Sequence, residues 1–309
     1  MSAPSVLAIV LALVAAAGYG GSDFAAGLAT RQASVIRVTL LSEAVNVAVG
    51  GLALVLTGAS PPGLRAVAWG ALAGLAGMTG ALALYVGFRH AAFSVAGPLS
   101  AVGAAGFSVL AGLLLGERPT AVALTGIVLA LPAIAAVSAS VRAPPGGDGP
   151  RAGPSASPQP GTASGSARRR APLGVVYGLA AGACFALLFI GLNEAGSGSG
   201  LWPVFCGQCA AFIGVACVAA VTGDLRLPEA RGAWLAVVTG VTGAPATIFY
   251  FLATHHGLLA VTAVITSLYP AITILLARVL LGERLTAFRL TGLLLAAASV
   301  SLIAVGGGG

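Results

Sequence analysis

Again and again along this chain, roughly 20 residues pass with almost no charged side chain, and that spacing constrains the fold more than any motif does. A helix of that length rises about 30 Å, the thickness of the hydrocarbon core of a bilayer. With charged residues and Pro/Gly clusters as boundaries, the spans fall near 5–28, 35–57, 66–88, 92–115 and 120–141. A second set follows near 173–192, 201–222, 232–253, 257–281 and 286–305. Only 7% of the residues are charged, against about a quarter in a soluble domain, which is too few to coat a surface that faces water. The expected fold is an all-α integral membrane protein of about ten transmembrane helices. No positive n-region precedes the first apolar run, which continues through Phe24, so it reads as a span rather than a cleaved signal.

The formal net charge of +7 comes from Arg alone, because the chain has no Lys. These Arg gather at span ends and in one linker, a distribution that argues against a nucleic-acid partner. An excess of Ala, Gly, Arg and Pro points to a GC-rich bacterial genome and hence to the bacterial cytoplasmic membrane. Cys184, Cys206, Cys209 and Cys217 all fall within spans, which excludes a secreted disulfide framework. Cys206 and Cys209 form a C-x-x-C, but without a second pair they read as small packing residues. Neither a metal site nor a cofactor is expected.

Residues 142–171 are rich in Pro, Gly and Ser and end in Arg168, Arg169 and Arg170. Such a composition buries too little apolar surface to order itself and reads as a disordered linker between residues 1–141 and 172–309. Those two segments repeat each other. Leu114-Leu115-Gly116-Glu117-Arg118 returns as Leu280-Leu281-Gly282-Glu283-Arg284, and Leu124-Thr125-Gly126 as Leu290-Thr291-Gly292, always 166 positions on. Tyr85 and Tyr250, 165 apart, end their respective third spans. Because each unit has five spans, an odd number, the second must enter the membrane from the opposite side. The result is a pair of inverted repeats around a central cavity, the arrangement that permits alternating access.

The doubled Leu-Gly-Glu-Arg turn, the stretch Tyr19-Gly20-Gly21-Ser22-Asp23-Phe24 and the run Gly200-Leu201-Trp202-Pro203 resemble the EamA-type carriers of the drug/metabolite transporter superfamily. The resemblance spans nearly the whole chain apart from the linker. It implies ten helices around a central cavity, and export or exchange of metabolites, amino acids or drugs. Where members of that family often carry Arg in the seventh span, this chain has Gln208.

An ionisable group in mid-membrane costs about 2.5 to 3.5 kcal/mol unless it is protonated, paired or wet, so such groups are the first candidates for function. Asp23 and Glu43 stand out. The repeat places Glu43 opposite Gln208, 165 positions on, and both are expected to face the cavity. In a partly dry cavity Glu43 can load and release a proton, or hold a substrate amine; the competing reading pairs it with Arg37. Asp23 follows Gly20 and Gly21, which are expected to loosen the first helix there, and Arg31 is its competing structural partner. Glu194, at the end of the sixth span, reads as interfacial.

Thr262, Thr266, Tyr269 and Thr273 recur at i, i+4, i+7 and i+11, one face of the ninth span, and Thr247, Tyr250 and Thr254 repeat the pattern in the eighth. The two stripes read either as a wetted substrate lining or as hydroxyls bonded to their own backbone. Tyr85 and Tyr250 read as interface anchors or as cavity gates. Gly116, Glu117 and Arg118, with Gly282, Glu283 and Arg284, read as structural turns in which each Glu accepts the amides that open the next helix. Pro98, Pro132, Pro245 and Pro270 predict kinks, and Gly70 with Gly74, and Gly178 with Gly182, predict close helix packing.

The function expected from these features is secondary transport of a small molecule by alternating access, with protons as a candidate coupling partner and the lipid bilayer as surroundings. A lipid or lipid-linked precursor flippase is the nearest alternative, and a membrane-embedded enzyme the next. No cluster of catalytic residues supports an enzyme, and the chain has no phosphate-binding Gly-x-x-x-x-Gly-Lys-Ser/Thr loop. Two signals disagree on orientation: the Arg count makes the linker side cytoplasmic, while the family resemblance implies cytoplasmic termini.

Overall fold

The computed structural model describes residues 6–59, 61–90, 93–138, 163–281 and 287–306. Every regular element among them is a helix. The first half contributes α1 (Val6–Ala29), α2 (Val35–Thr57), α3 (Leu64–His90), α4 (Phe93–Leu114) and α5 (Ala121–Ser138). The second contributes α6 (Ala163–Glu194), α7 (Trp202–Thr222), α8 (Ala230–His256), α9 (Leu259–Thr266), α10 (Tyr269–Leu281) and α11 (Ala287–Gly306). Among the described residues, seven segments are long and apolar enough to cross a membrane, α9 and α10 counting together as one, and three shorter apolar helices lie at Leu99–Leu114, Ala121–Ala136 and Leu290–Gly306. The chain is a multi-pass membrane protein.

Two boundaries differ from the sequence reading. The ninth span is broken rather than kinked: α9 ends at Thr266, Ser267 caps it, and α10 restarts at Tyr269 with Pro270 in its first turn. Pro270 lacks the amide that would continue the ladder, and a first turn is where that loss is tolerated. α6 begins at Ala163, so Arg168, Arg169 and Arg170 lie on its first turns rather than in a linker.

The packing follows the repeat. α1 packs on α8 as α6 packs on α3; α2 packs on α8 as α7 packs on α3; and α4 packs on α6 as α9 and α10 pack on α1. Exchanging the halves turns each of these contacts into its counterpart. The pairs α2–α7, α4–α9 and α5–α11 map onto themselves and therefore straddle the pseudo-two-fold axis. In lipid, association of this kind relies on close van der Waals contact between small residues. A Cβ on Gly70 or Gly74 would run into the Pro203 or Gly207 carbonyl of α7, and one on Gly182 would come within 2.8 Å of the Ser100 carbonyl of α4. At the repeat-related contact, a Cβ on Gly240 would meet the Ser42 carbonyl at 2.6 Å.

Polar ties join the halves at both membrane faces. On the face where α1 begins, the Glu117 carboxylate accepts the amides of Leu259 at 2.5 Å and Ala260 at 2.9 Å. Those amides open α9, in the other half, and not α5, the helix that follows Glu117 in sequence. The sequence reading had the chemistry of the motif but the wrong helix. Gly116 permits this turn by taking φ 90°, a left-handed conformation that L side chains rarely adopt. Arg118 is exposed, and Gly282, Glu283 and Arg284 lie outside the described residues. On the same face, Arg65 pairs with Glu194 at 3.0 Å. On the opposite face, Asp224, between α7 and α8, accepts from the Ser34 hydroxyl and pairs with Arg37 at 2.5 Å.

Candidate functional site

Between the halves lies a cavity of about 140 Å³ walled by α1, α2, α3, α6, α7 and α8. Its polar rim is built from neighbouring turns of the first two helices. Tyr19, Ser22 and Asp23 face it from α1, and Thr39, Ser42, Glu43 and Asn46 from α2. The spacing of three to four residues puts each set on one helix face. Gln208 closes it from α7, Thr239 and Thr247 from α8, and Tyr85 and Phe185 from α3 and α6. Asp23, Glu43 and Gln208, singled out in the sequence, thus line one space.

The carboxylates are half-buried, and neither of the structural pairings considered for them forms. Arg37 is engaged by Asp224, and Arg31 is exposed. Glu43 accepts a hydrogen bond from Asn46 Nδ2 at 3.0 Å. Asp23 makes neither an ion pair nor a hydrogen bond with another described residue. Both carboxylates act electrostatically on the phenols of Tyr19 and Tyr85. Gln208 is only 6% exposed, and neither its Oε1 nor its Nε2 meets a hydrogen-bond partner among the described residues. Its amide rests against Gly50, where any Cβ would overlap it.

The lining hydroxyls of α1, α2 and α8 are already spent as donors. Ser22 gives its proton to the Thr239 carbonyl at 3.0 Å, Thr39 to Val35 at 2.9 Å, and Ser42 to Thr39 at 3.0 Å. Thr239 gives to Leu235 at 2.9 Å, Thr247 to Gly243 at 3.1 Å, and Tyr19 to the Thr247 hydroxyl at 3.0 Å. A hydroxyl has one proton and two lone pairs, so what remains for a ligand is acceptor capacity.

The ninth-span stripe lies elsewhere. Thr262 donates to its own backbone at Leu258, 3.0 Å, Thr266 to Ala12 of α1 at 3.5 Å, and Thr273 to Gly20 of α1 at 3.0 Å. The Tyr269 hydroxyl lies 3.4 Å from that of Ser100 on α4. None of the four lines the cavity; the stripe joins α9 and α10 to α1 and α4. Tyr250 is likewise no interface anchor. It is fully buried, stacks on Phe189 with ring centroids 4.3 Å apart, and donates to the Phe189 carbonyl at 3.3 Å. Thr254 bonds Asn193 Oδ1 at 2.7 Å. Tyr85, the repeat counterpart of Tyr250, does face the cavity. Gly20 does not loosen α1, which runs on unbroken; a Cβ there would come within 2.6 Å of Ile272, so the glycine admits α10 instead. Tyr19, Ser22 and Asn46 are not among the site residues expected from the sequence, although Tyr19 lies four positions and Ser22 one position from Asp23, and Asn46 three from Glu43.

Comparison with known proteins agrees with this architecture. Residues 172–305 match the EamA-like transporter family. A crystal structure of a protein 17% identical superposes with a TM-score of 0.70, over 96% of this chain and 96% of that one. No curated protein matches the sequence.

Proposed function

We propose that this protein, an EamA-type membrane protein by the match of its second half, is a secondary carrier that moves a small molecule by alternating access. The observation that carries the reading is the cavity itself, a space with a polar rim between two halves whose main contacts exchange under a pseudo-two-fold. Two intramembrane carboxylates without a basic partner are expensive to keep and mark a working site. Glu43 is the residue assigned to proton exchange. The titratable groups around it are Tyr19 and Asp23 on α1 and Tyr85 on α3, and among the described residues no basic side chain lines the cavity. A cavity of about 150 Å³ elsewhere takes up a molecule the size of benzene, so the space here suits a small solute better than a lipid headgroup, which disfavours the flippase alternative. Efflux across the bacterial cytoplasmic membrane is the direction and place we assign.

The test is uptake by proteoliposomes offered a pooled mixture of metabolites and drugs, with and without an imposed pH gradient. Mass spectrometry against empty liposomes reads the result. Selective accumulation supports a carrier, and its response to the gradient supports coupling. No accumulation by folded protein overturns the reading.

A further inference from the structure

The polar part of the cavity wall carries negative charge and lone pairs, set among apolar side chains such as Met78, Leu84 and Leu188. Asp23 and Glu43 are its charged groups, and the described Arg side chains are all exposed except Arg37, which Asp224 holds at the membrane face. Its hydroxyls on α1, α2 and α8 have donated their protons to carbonyls or to one another. Asn46 has spent an Nδ2 proton on Glu43, and its Oδ1 is buried without a partner among the described residues. The Gln208 amide, more than nine-tenths buried, is wholly unmatched there. Buried polar groups of this kind are costly unless something meets them. Tyr19, Tyr85 and Phe185 add aromatic faces to the same wall, surfaces that attract a cation.

We infer that the carrier's substrate is a small protonated amine, held by Asp23 and Glu43, with its remaining N–H groups directed at the lone pairs of the lining hydroxyls. This rests on the carrier reading above and narrows it. An anion would meet two like charges and no cation, and a neutral solute would leave the carboxylates uncompensated. A quaternary ammonium satisfies the charge but brings no N–H to an acceptor-rich wall. The cavity's size fits a molecule with one ring.

The inference is tested by calorimetric titration of the full chain in nanodiscs with four probes of similar shape: benzylammonium, benzyltrimethylammonium, benzyl alcohol and benzoate. Benzylammonium is expected to bind, benzyltrimethylammonium about tenfold or more weakly, and the other two not measurably. Asp23→Asn and Glu43→Gln are each expected to weaken benzylammonium by about tenfold or more. Binding of benzoate or benzyl alcohol as tight as that of benzylammonium overturns the inference, as does equal binding of the quaternary probe. The ligand series needs no variant and so stands even if one fails to fold. The two readings fail separately: an anionic or neutral solute accumulated in the pooled assay keeps the carrier and removes the amine, while amine binding without uptake does the reverse.

Discussion

Glu117 and Leu259 stand 142 positions apart in the chain, yet the Glu117 carboxylate accepts the Leu259 amide at 2.5 Å and takes the next amide, that of Ala260, on its other oxygen. A turn of the first half thereby caps the broken span of the second. Glu117→Ala would leave two amides at the start of α9 unmatched and is expected to cost about 1 to 2 kcal/mol, as loss of a helix cap does. Glu117→Gln should rescue little of this, because its NH2 group would face an amide that needs an acceptor. Thermal unfolding of the purified protein compares the three; a Gln variant as stable as the original would show that the carboxylate is not required.

For transport, Glu43→Gln is expected to continue accumulating substrate down its own gradient while losing the response to an imposed pH gradient. Flux measured in proteoliposomes at matched and unmatched pH decides the matter. An unchanged pH response removes Glu43 from coupling and leaves the carrier intact.

Two glycines separate the fold from the site. Gly74→Ala drives a Cβ into the Gly207 carbonyl, a backbone atom that can yield only by parting α3 from α7, and overpacking of that kind costs about 1 to 3 kcal/mol. Gly50→Ala meets only the Gln208 side chain, which can swing aside. It should leave the melting temperature close to that of the original and lower ligand affinity by several-fold. Equal effects of both variants on stability would contradict this division.

At the opposite face, hydrogen bonding from Ser34, reinforced by the Arg37 guanidinium, holds the Asp224 carboxyl below the ordinary carboxylate range. A depressed value in the folded state means that the tie is at full strength above the ordinary carboxylate range and weakens as pH falls through the lowered one. The difference in melting temperature between the original protein and Asp224→Asn should therefore be present at neutral pH and vanish in acid. A difference that persists in strong acid would assign the effect to something other than the charge.

The helices were legible because lipid imposes a length and an absence of charge that any spanning sequence must display. The repeat added the inversion, and its spacing brought Glu43 and Gln208 to one cavity. Helical periodicity then gave the face shared by Thr262, Thr266, Tyr269 and Thr273, but a face does not say whether water or another helix lies against it. Tyr85 and Tyr250 make the same point: they are repeat counterparts, yet one lines the cavity and the other stacks on Phe189 in the core. The contact between Glu117 and α9 was hidden because it joins residues far apart in the chain, and local capping rules look only to the next helix.

With no basic side chain among the described residues lining the cavity with Asp23 and Glu43, the transport cycle proposed above would be sensitive to voltage. Each elementary charge carried across 100 mV gains or loses about 2.3 kcal/mol. If both carboxylates return ionised, two negative charges cross the field; a single ammonium cancels one of them, and each bound proton cancels another. The steepness with which turnover follows an applied potential therefore counts the protons that travel with the empty site.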